Sequence, residues 1–135
     1  MSKPRVLFLC TGNSCRSQMA EAWLRHLAGD RFESLSAGTA PVAVNTGAVA
    51  AMGELGISLD GQRSKHVDEF AAHPPDLVIT VCDRARESCP VLPGARILPW
   101  SFDDPAGKPM EEFRRVRDEI GEAIRQWVAA SDRMT

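Results

Sequence analysis

The chain has no excess of either charge: 16 Lys and Arg residues stand against 18 Asp and Glu, a formal net charge of −2 with a pI near 5.9. No basic footprint for nucleic acid is present, and the mixed run from Glu111 to Glu119 reads as a solvated helix face, so a nucleic-acid partner is not expected. No apolar run reaches the length of a membrane span. The short apolar stretch near the N-terminus suits a strand better than a cleavable signal, so a cytoplasmic protein with no membrane partner is expected. Repeats and low-complexity tracts are missing too. A chain of 135 residues fits one domain, residues 1–135, which buries about two-thirds of its unfolded surface. With no obvious dimer helix, a monomer is expected.

Cysteine is scarce: Cys10, Cys15, Cys82 and Cys89 are the only four. Without an export signal they are better read as reactive or reduced thiols than as a disulfide framework. Their spacing is poor for zinc, and His26, His66 and His73 show no ligand spacing, so neither a metal nor a cofactor is expected.

What is present is a regular alternation of strands and helices. Arg5-Val6-Leu7-Phe8-Leu9 is continuously apolar after its first residue, as in a strand buried on both faces of a parallel sheet. Met19, Ala20, Trp23, Leu24 and Leu27 recur at helical spacing up to Gly29. Phe32 to Ala37 reads as a second strand. Asn45 caps a second helix, with Ala48, Val49, Met52 and Leu55 as its buried stripe and its end near Gly56. A short helical turn is expected around Val67 to Ala72, a third strand over Asp76 to Val81, and a fourth over Ala95 to Leu98. Phe113, Val116, Ile120, Ile124, Trp127 and Val128 mark a long closing helix. The pattern predicts a three-layer α/β domain: a four-stranded parallel sheet of order 2-1-3-4 with helices on both faces.

Ligands of such sheets bind beyond the carboxyl ends of the strands, where the winding reverses. Here that point lies between strands one and three. Cys10 ends the first strand and Cys82 the third, so two thiols far apart in sequence should flank one crevice, with Asp103-Asp104-Pro105 leaving strand four at the same end.

Cys10-Thr11-Gly12-Asn13-Ser14-Cys15-Arg16-Ser17 joins the first strand to the first helix. Unpaired N–H groups and the positive helix end favour an anion there, and Gly12 lets the backbone wrap closely around it. The same field favours a Cys10 thiolate, to which Ser17 can donate. Arg16 supplies a charged planar fork for two oxyanion oxygens. Thr11 to Ser17 form the expected substrate-binding loop, with the Cys15 side chain packed inward in a structural role.

These residues resemble the thioredoxin-coupled arsenate reductases, which share the low-molecular-weight tyrosine phosphatase fold. The match extends to Cys10-Thr-Gly-Asn-Ser-Cys-Arg-Ser-Gln-Met-Ala-Glu21, Ser36-Ala37-Gly38, Cys82 with Cys89, and Phe102-Asp103-Asp104-Pro105. The resemblance implies reduction of arsenate to arsenite, with Cys10 as nucleophile, Arg16 as oxyanion clamp and Asp104 as general acid. It implies that Cys82 and Cys89 form a thiol-disulfide relay re-reduced by thioredoxin. A fully helical 82–89 segment would hold those two Cα atoms roughly 10 Å apart, beyond disulfide reach, so oxidation is expected to bend or unwind it. Some family members bind potassium at positions matching Asn13, Glu21 and Ser36. In this chain Lys65 stands at the matching carboxylate position, either taking the cation's place beside Glu21 or lying in solvent.

Two other functions compete. A tyrosine or aryl phosphatase uses Cys10, Arg16 and Asp104 without the relay, although Ala106 follows Pro105 where such enzymes usually carry an aromatic residue. A non-catalytic thiol redox sensor needs the thiols and no proton donor.

Overall fold

A computed structural model describes residues 3–82 and 94–133. Its order is β1 (Arg5–Cys10), α1 (Arg16–Ala28), β2 (Glu33–Gly38), α2 (Thr46–Gly53), a 3-10 turn (Val67–Phe70), β3 (Leu77–Thr80), β4 (Arg96–Pro99) and α3 (Met110–Arg133). Among the described residues the strands form one parallel sheet of order β2-β1-β3-β4, the predicted order.

β1 is central because its sequence tolerates no exposed face: Val6, Leu7, Phe8, Leu9 and Cys10 are all buried, so both sides of this strand are covered. The register sets Cys10 opposite Gly38, Leu9 opposite Thr80, and Thr80 opposite Pro99. The carboxyl ends of all four strands therefore emerge at one edge.

Helix α3 buries Phe113, Val116, Ile120, Ile124 and Val128, the three-and-four spacing of one helical face. It packs on α1 and α2, and α1 packs on β1 and β2. The α1–α3 contact is close at Gly121, where a Cβ atom would lie 2.6 Å from the Trp23 ring. The Trp23 indole N–H donates to the Arg117 carbonyl at 3.0 Å, so the buried ring leaves no unmatched donor.

Two expectations need correction. In α2 the inward residues are Ala48, Ala51 and Met52, while Val49 and Leu55 are each 44% exposed. Val49 is one residue, about 100°, round the helix from Ala48, and Leu55 lies past its end, since α2 stops at Gly53 rather than near Gly56. Within the charged run 111–119, Arg117 is buried rather than solvated, donating to the Ala51 carbonyl at 2.8 Å and pairing with Glu54 at 2.9 Å. Helical spacing puts Arg117 on the inner face beside Phe113 and Val116. The strand boundaries otherwise fall within one or two residues of those read from the sequence.

Candidate active site

The loop after β1 is turned inside out by the segment after β2. The carbonyls of Cys10, Thr11, Gly12 and Ser14 accept from the N–H groups of Thr39, Ala40, Val42 and Asn45 at 2.9–3.2 Å. The Asn13 carbonyl accepts from the Gln18 amide at 3.0 Å. In a trans peptide the carbonyl and the next N–H point in opposite directions. With those carbonyls drawn outward, the N–H groups of residues 11–15 face the hollow above Cys10, at the N-terminus of α1. That is an anion cradle.

Two backbone features make this tight turn possible. Asn13 takes φ +46°, a left-handed conformation that asparagine tolerates better than most residues. Gly38 leaves room for the loop, because a Cβ there would stand 2.5 Å from the Thr11 carbonyl oxygen and 2.8 Å from the Asn13 nitrogen.

A chain of hydrogen bonds ends at Cys10. The Lys65 N–H donates to Asn13 Oδ1 at 2.9 Å, which fixes the amide so that Nδ2 donates to Ser17 Oγ at 2.9 Å. Ser17 is then an acceptor on that side, and its Oγ is hydrogen-bonded to Cys10 Sγ at 2.8 Å, with either atom able to donate. Asn13, Ser17 and Gln18 are fully buried, so these bonds do not compete with water.

Arg16 and the loop after β4 close the opposite wall. Arg16 Nη1 donates to the Phe102 carbonyl at 3.0 Å, and Nη2 lies 3.6 Å from Asp104 Oδ2. Asp103 points elsewhere, pairing with Arg115 of α3 at 3.1 Å. The two adjacent acids, indistinguishable by local pattern, thus have different neighbours, and Asp104 faces the guanidinium.

Cys82 follows β3 and is buried on the wall of the same cleft, with its sulfur 3.6 Å from Thr11 Oγ1. The cleft has a volume of about 610 Å³ and is lined by Cys10, Arg16, Cys82 and Asp104 among others. Cys15 also borders it but is 4% exposed, and burial, reinforced by the Asp104 charge, pushes its thiol up to about 12. Cys15 therefore stays protonated at neutral pH. Cys89 lies outside the described residues, as does the 83–92 segment expected to rearrange.

Next to the loop, Glu21 is buried and accepts from Ser36 Oγ at 2.5 Å. Its other oxygen meets Arg25, and the Lys65 ammonium lies 3.9 Å away. Burial pulls the Lys65 pKa down while the Glu21 carboxylate pulls it up. Of the two readings of Lys65, the pairing with Glu21 is the one observed. Among the described residues no cluster of three His, Cys, Asp or Glu side chains could hold a metal.

Sequence reasoning missed Gln18, the Lys65 backbone and the 39–45 segment. Their contributions run through main-chain or amide hydrogen bonds, which leave no charge or thiol signature in the sequence.

A strand, a Cys-to-Arg anion loop on a helix N-terminus, and an Asp-Pro loop facing it define a phosphatase-like class. The profile of the low molecular weight phosphotyrosine protein phosphatase family matches residues 5–134, and the chain belongs to that family. Within it, the chain is 48% identical over 125 residues to arsenate reductase 2 of Staphylococcus epidermidis, covering 92% of this chain and 95% of that one. It is also similar to the solved structure of an arsenate reductase in the phosphate-binding state, with TM-score 0.80 and 34% identity, covering 94% and 98% of the two chains. A thioredoxin-dependent arsenate reductase of Corynebacterium glutamicum superposes with TM-score 0.81 at 28% identity, covering 98% of this chain and 64% of that one. No helix among the described residues is long and apolar enough to cross a membrane.

Proposed function

We propose that residues 1–135 act as one cytoplasmic, monomeric arsenate reductase domain that uses Cys10, Cys82 and Cys89 in sequence and is re-reduced by thioredoxin. Arsenate sits in the cradle of residues 11–17 with two oxygens on Arg16. The Cys10 thiolate attacks arsenic, and one oxygen ligand leaves as water on receiving a proton from Asp104. Cys82 then attacks the Cys10 sulfur. The sulfur–arsenic bond breaks with its electron pair left on arsenic, releasing arsenite and a Cys10–Cys82 disulfide. Cys89 attacks Cys82, which frees Cys10, and the dithiol of thioredoxin reduces the Cys82–Cys89 disulfide.

The observation that carries this reading is a second thiol, Cys82, on the wall of the Cys10 cleft and within 3.6 Å of a loop hydroxyl. Phosphate-ester hydrolysis has no use for it. Relatives at 48% identity bearing the name arsenate reductase support the same reading. A slow aryl-phosphate hydrolysis is expected as a side activity, because arsenate and phosphate are near-isosteres and the family profile is that of a phosphatase.

The test is arsenate-dependent NADPH consumption with thioredoxin and its reductase, run beside Cys82→Ser and Cys89→Ser. Turnover in the parent and its loss in both variants is expected. A parent without turnover, whose aryl-phosphate hydrolysis survives both substitutions, would replace the reductase by a phosphatase.

A further inference from the structure

The loop that carries Asp104 is held from two sides by two arginines. On the cleft side Arg16 binds the Phe102 carbonyl and faces Asp104. On the far side Arg115, in the second turn of α3, reaches Asp103 Oδ2 at 3.1 Å. Side chains of successive residues in extended backbone point to opposite sides, and Pro105 disfavours a helical conformation at Asp104. Drawing Asp103 toward α3 therefore turns Asp104 toward the anion loop.

Arg115 is itself preset for this contact. Glu112 Oε2 accepts from its Nη2 at 2.7 Å, and Glu119 Oε2 accepts from its Nη1 at 2.9 Å. Two carboxylates of its own helix thus aim the fork, which lowers the entropy lost when it meets the loop. Without the guanidinium, Asp103, Glu112 and Glu119 would lose their shared counter-charge and repel one another. The loop would lift from the helix and carry Asp104 with it.

We propose that Arg115 is a positioning residue for the proton-transfer step, holding Asp103 against helix α3 so that the Asp104 carboxyl stays beside Arg16 and over the anion loop. It rests on the reductase reading above and assigns Arg115 no contact with substrate. Because Arg115 and Asp103 are solvent-exposed, their attraction is modest, and the expected effect is about three- to five-fold in kcat rather than orders of magnitude.

A kinetic double-mutant cycle with Arg115→Gln, Asp103→Asn and the double variant tests this through arsenate turnover. Each single variant should lose about three- to five-fold in kcat with KM for arsenate unchanged, and the double variant should lose no more than either single. Arg115→Lys should restore part of the loss. Sodium chloride should raise kcat of Arg115→Gln by screening the three carboxylates while lowering that of the parent. Losses that multiply in the double variant, or an Arg115→Gln protein with parental kcat, would overturn the proposal. Glu122→Gln, which removes a carboxylate of the same helix that pairs with Arg125 and not with Arg115, serves as the helix control and should stay within about twofold of the parent. If the parent fails to turn over arsenate, the reductase reading falls. Loop placement is then judged from Trp100 emission, read by difference against Trp100→Phe. A shift in Arg115→Gln and none in Glu122→Gln supports the positioning role, and no shift in either overturns it.

Discussion

Lys65 is linked to Cys10 by a chain of hydrogen bonds that starts at its backbone, and to Glu21 of helix α1 through its side chain. Its N–H orients Asn13, which orients Ser17, which is hydrogen-bonded to Cys10. Its ammonium lies beside Glu21, inside a nearly closed shell with Ser36 and Arg25. A resident cation already balances the carboxylate, so a diffusible one has little to add. Arsenate turnover should differ by less than about twofold between potassium and sodium chloride at equal ionic strength. A several-fold rise specific to potassium would mean that Lys65 swings out and leaves the place to the metal. At this scale the preference for Asp104 over Asp103 came from the family resemblance, while Cys10 and Arg16 were legible as candidates because thiol and guanidinium carry their chemistry in the side chain. Gln18 and the amide face of residues 39–45 were not, because any residue with a free N–H could have stood in many of those places.

Between elements, Glu54 joins α2 to α3. Just beyond α2, it takes a forked contact from Arg114 at 2.8–3.1 Å and a second from buried Arg117 at 2.9 Å. Hydrogen bonding from Arg114 first, with Arg117 adding to it, draws the Glu54 carboxyl down to about 2. A carboxyl whose folded pKa lies below its unfolded value contributes stability that is fully present above the unfolded value, near 4.3, and lost as pH falls through the folded one. Glu54→Gln should therefore lower Tm at pH 7, and the difference from the parent should shrink between about pH 4.5 and pH 2. A Tm difference that is constant over that window would show that the charge of Glu54 does not matter. The elements themselves were readable from apolar spacing, most clearly in α3 with its five buried apolar side chains. The failure in α2 has a physical cause. A helix of eight residues with Ala48, Val49, Ala51 and Met52 offers several equally apolar faces, and packing against α3 and α1 selects the one that buries Ala48 and Ala51.

For the molecule as a whole, the proposed anion cradle is held in shape by hydrogen bonds from the segment after β2 and from Gln18. A tetrahedral oxyanion that binds the folded form alone stabilises it by about 2.7 kcal/mol at a hundred times its dissociation constant. Phosphate should thus raise the parent's Tm by several degrees. Arg16→Ala should abolish most of that rise, and an equal rise in the variant would place the anion elsewhere.

The sequence by itself determined the strand and helix order, the parallel 2-1-3-4 sheet and the place of the Cys10-to-Arg16 loop between β1 and α1, because apolar periodicity and side-chain type are local properties. Tertiary structure alone decided which of Asp103 and Asp104 faces the guanidinium, since both occupy the same kind of loop and differ only in whether Arg115 or Arg16 is across from them. It also decided that Lys65, 52 residues from Asn13 in sequence, would orient the Asn13 amide beside Cys10 and Ser17. Such pairings depend on how strands and loops meet at the carboxyl edge of the sheet, and no pattern within either segment encodes them.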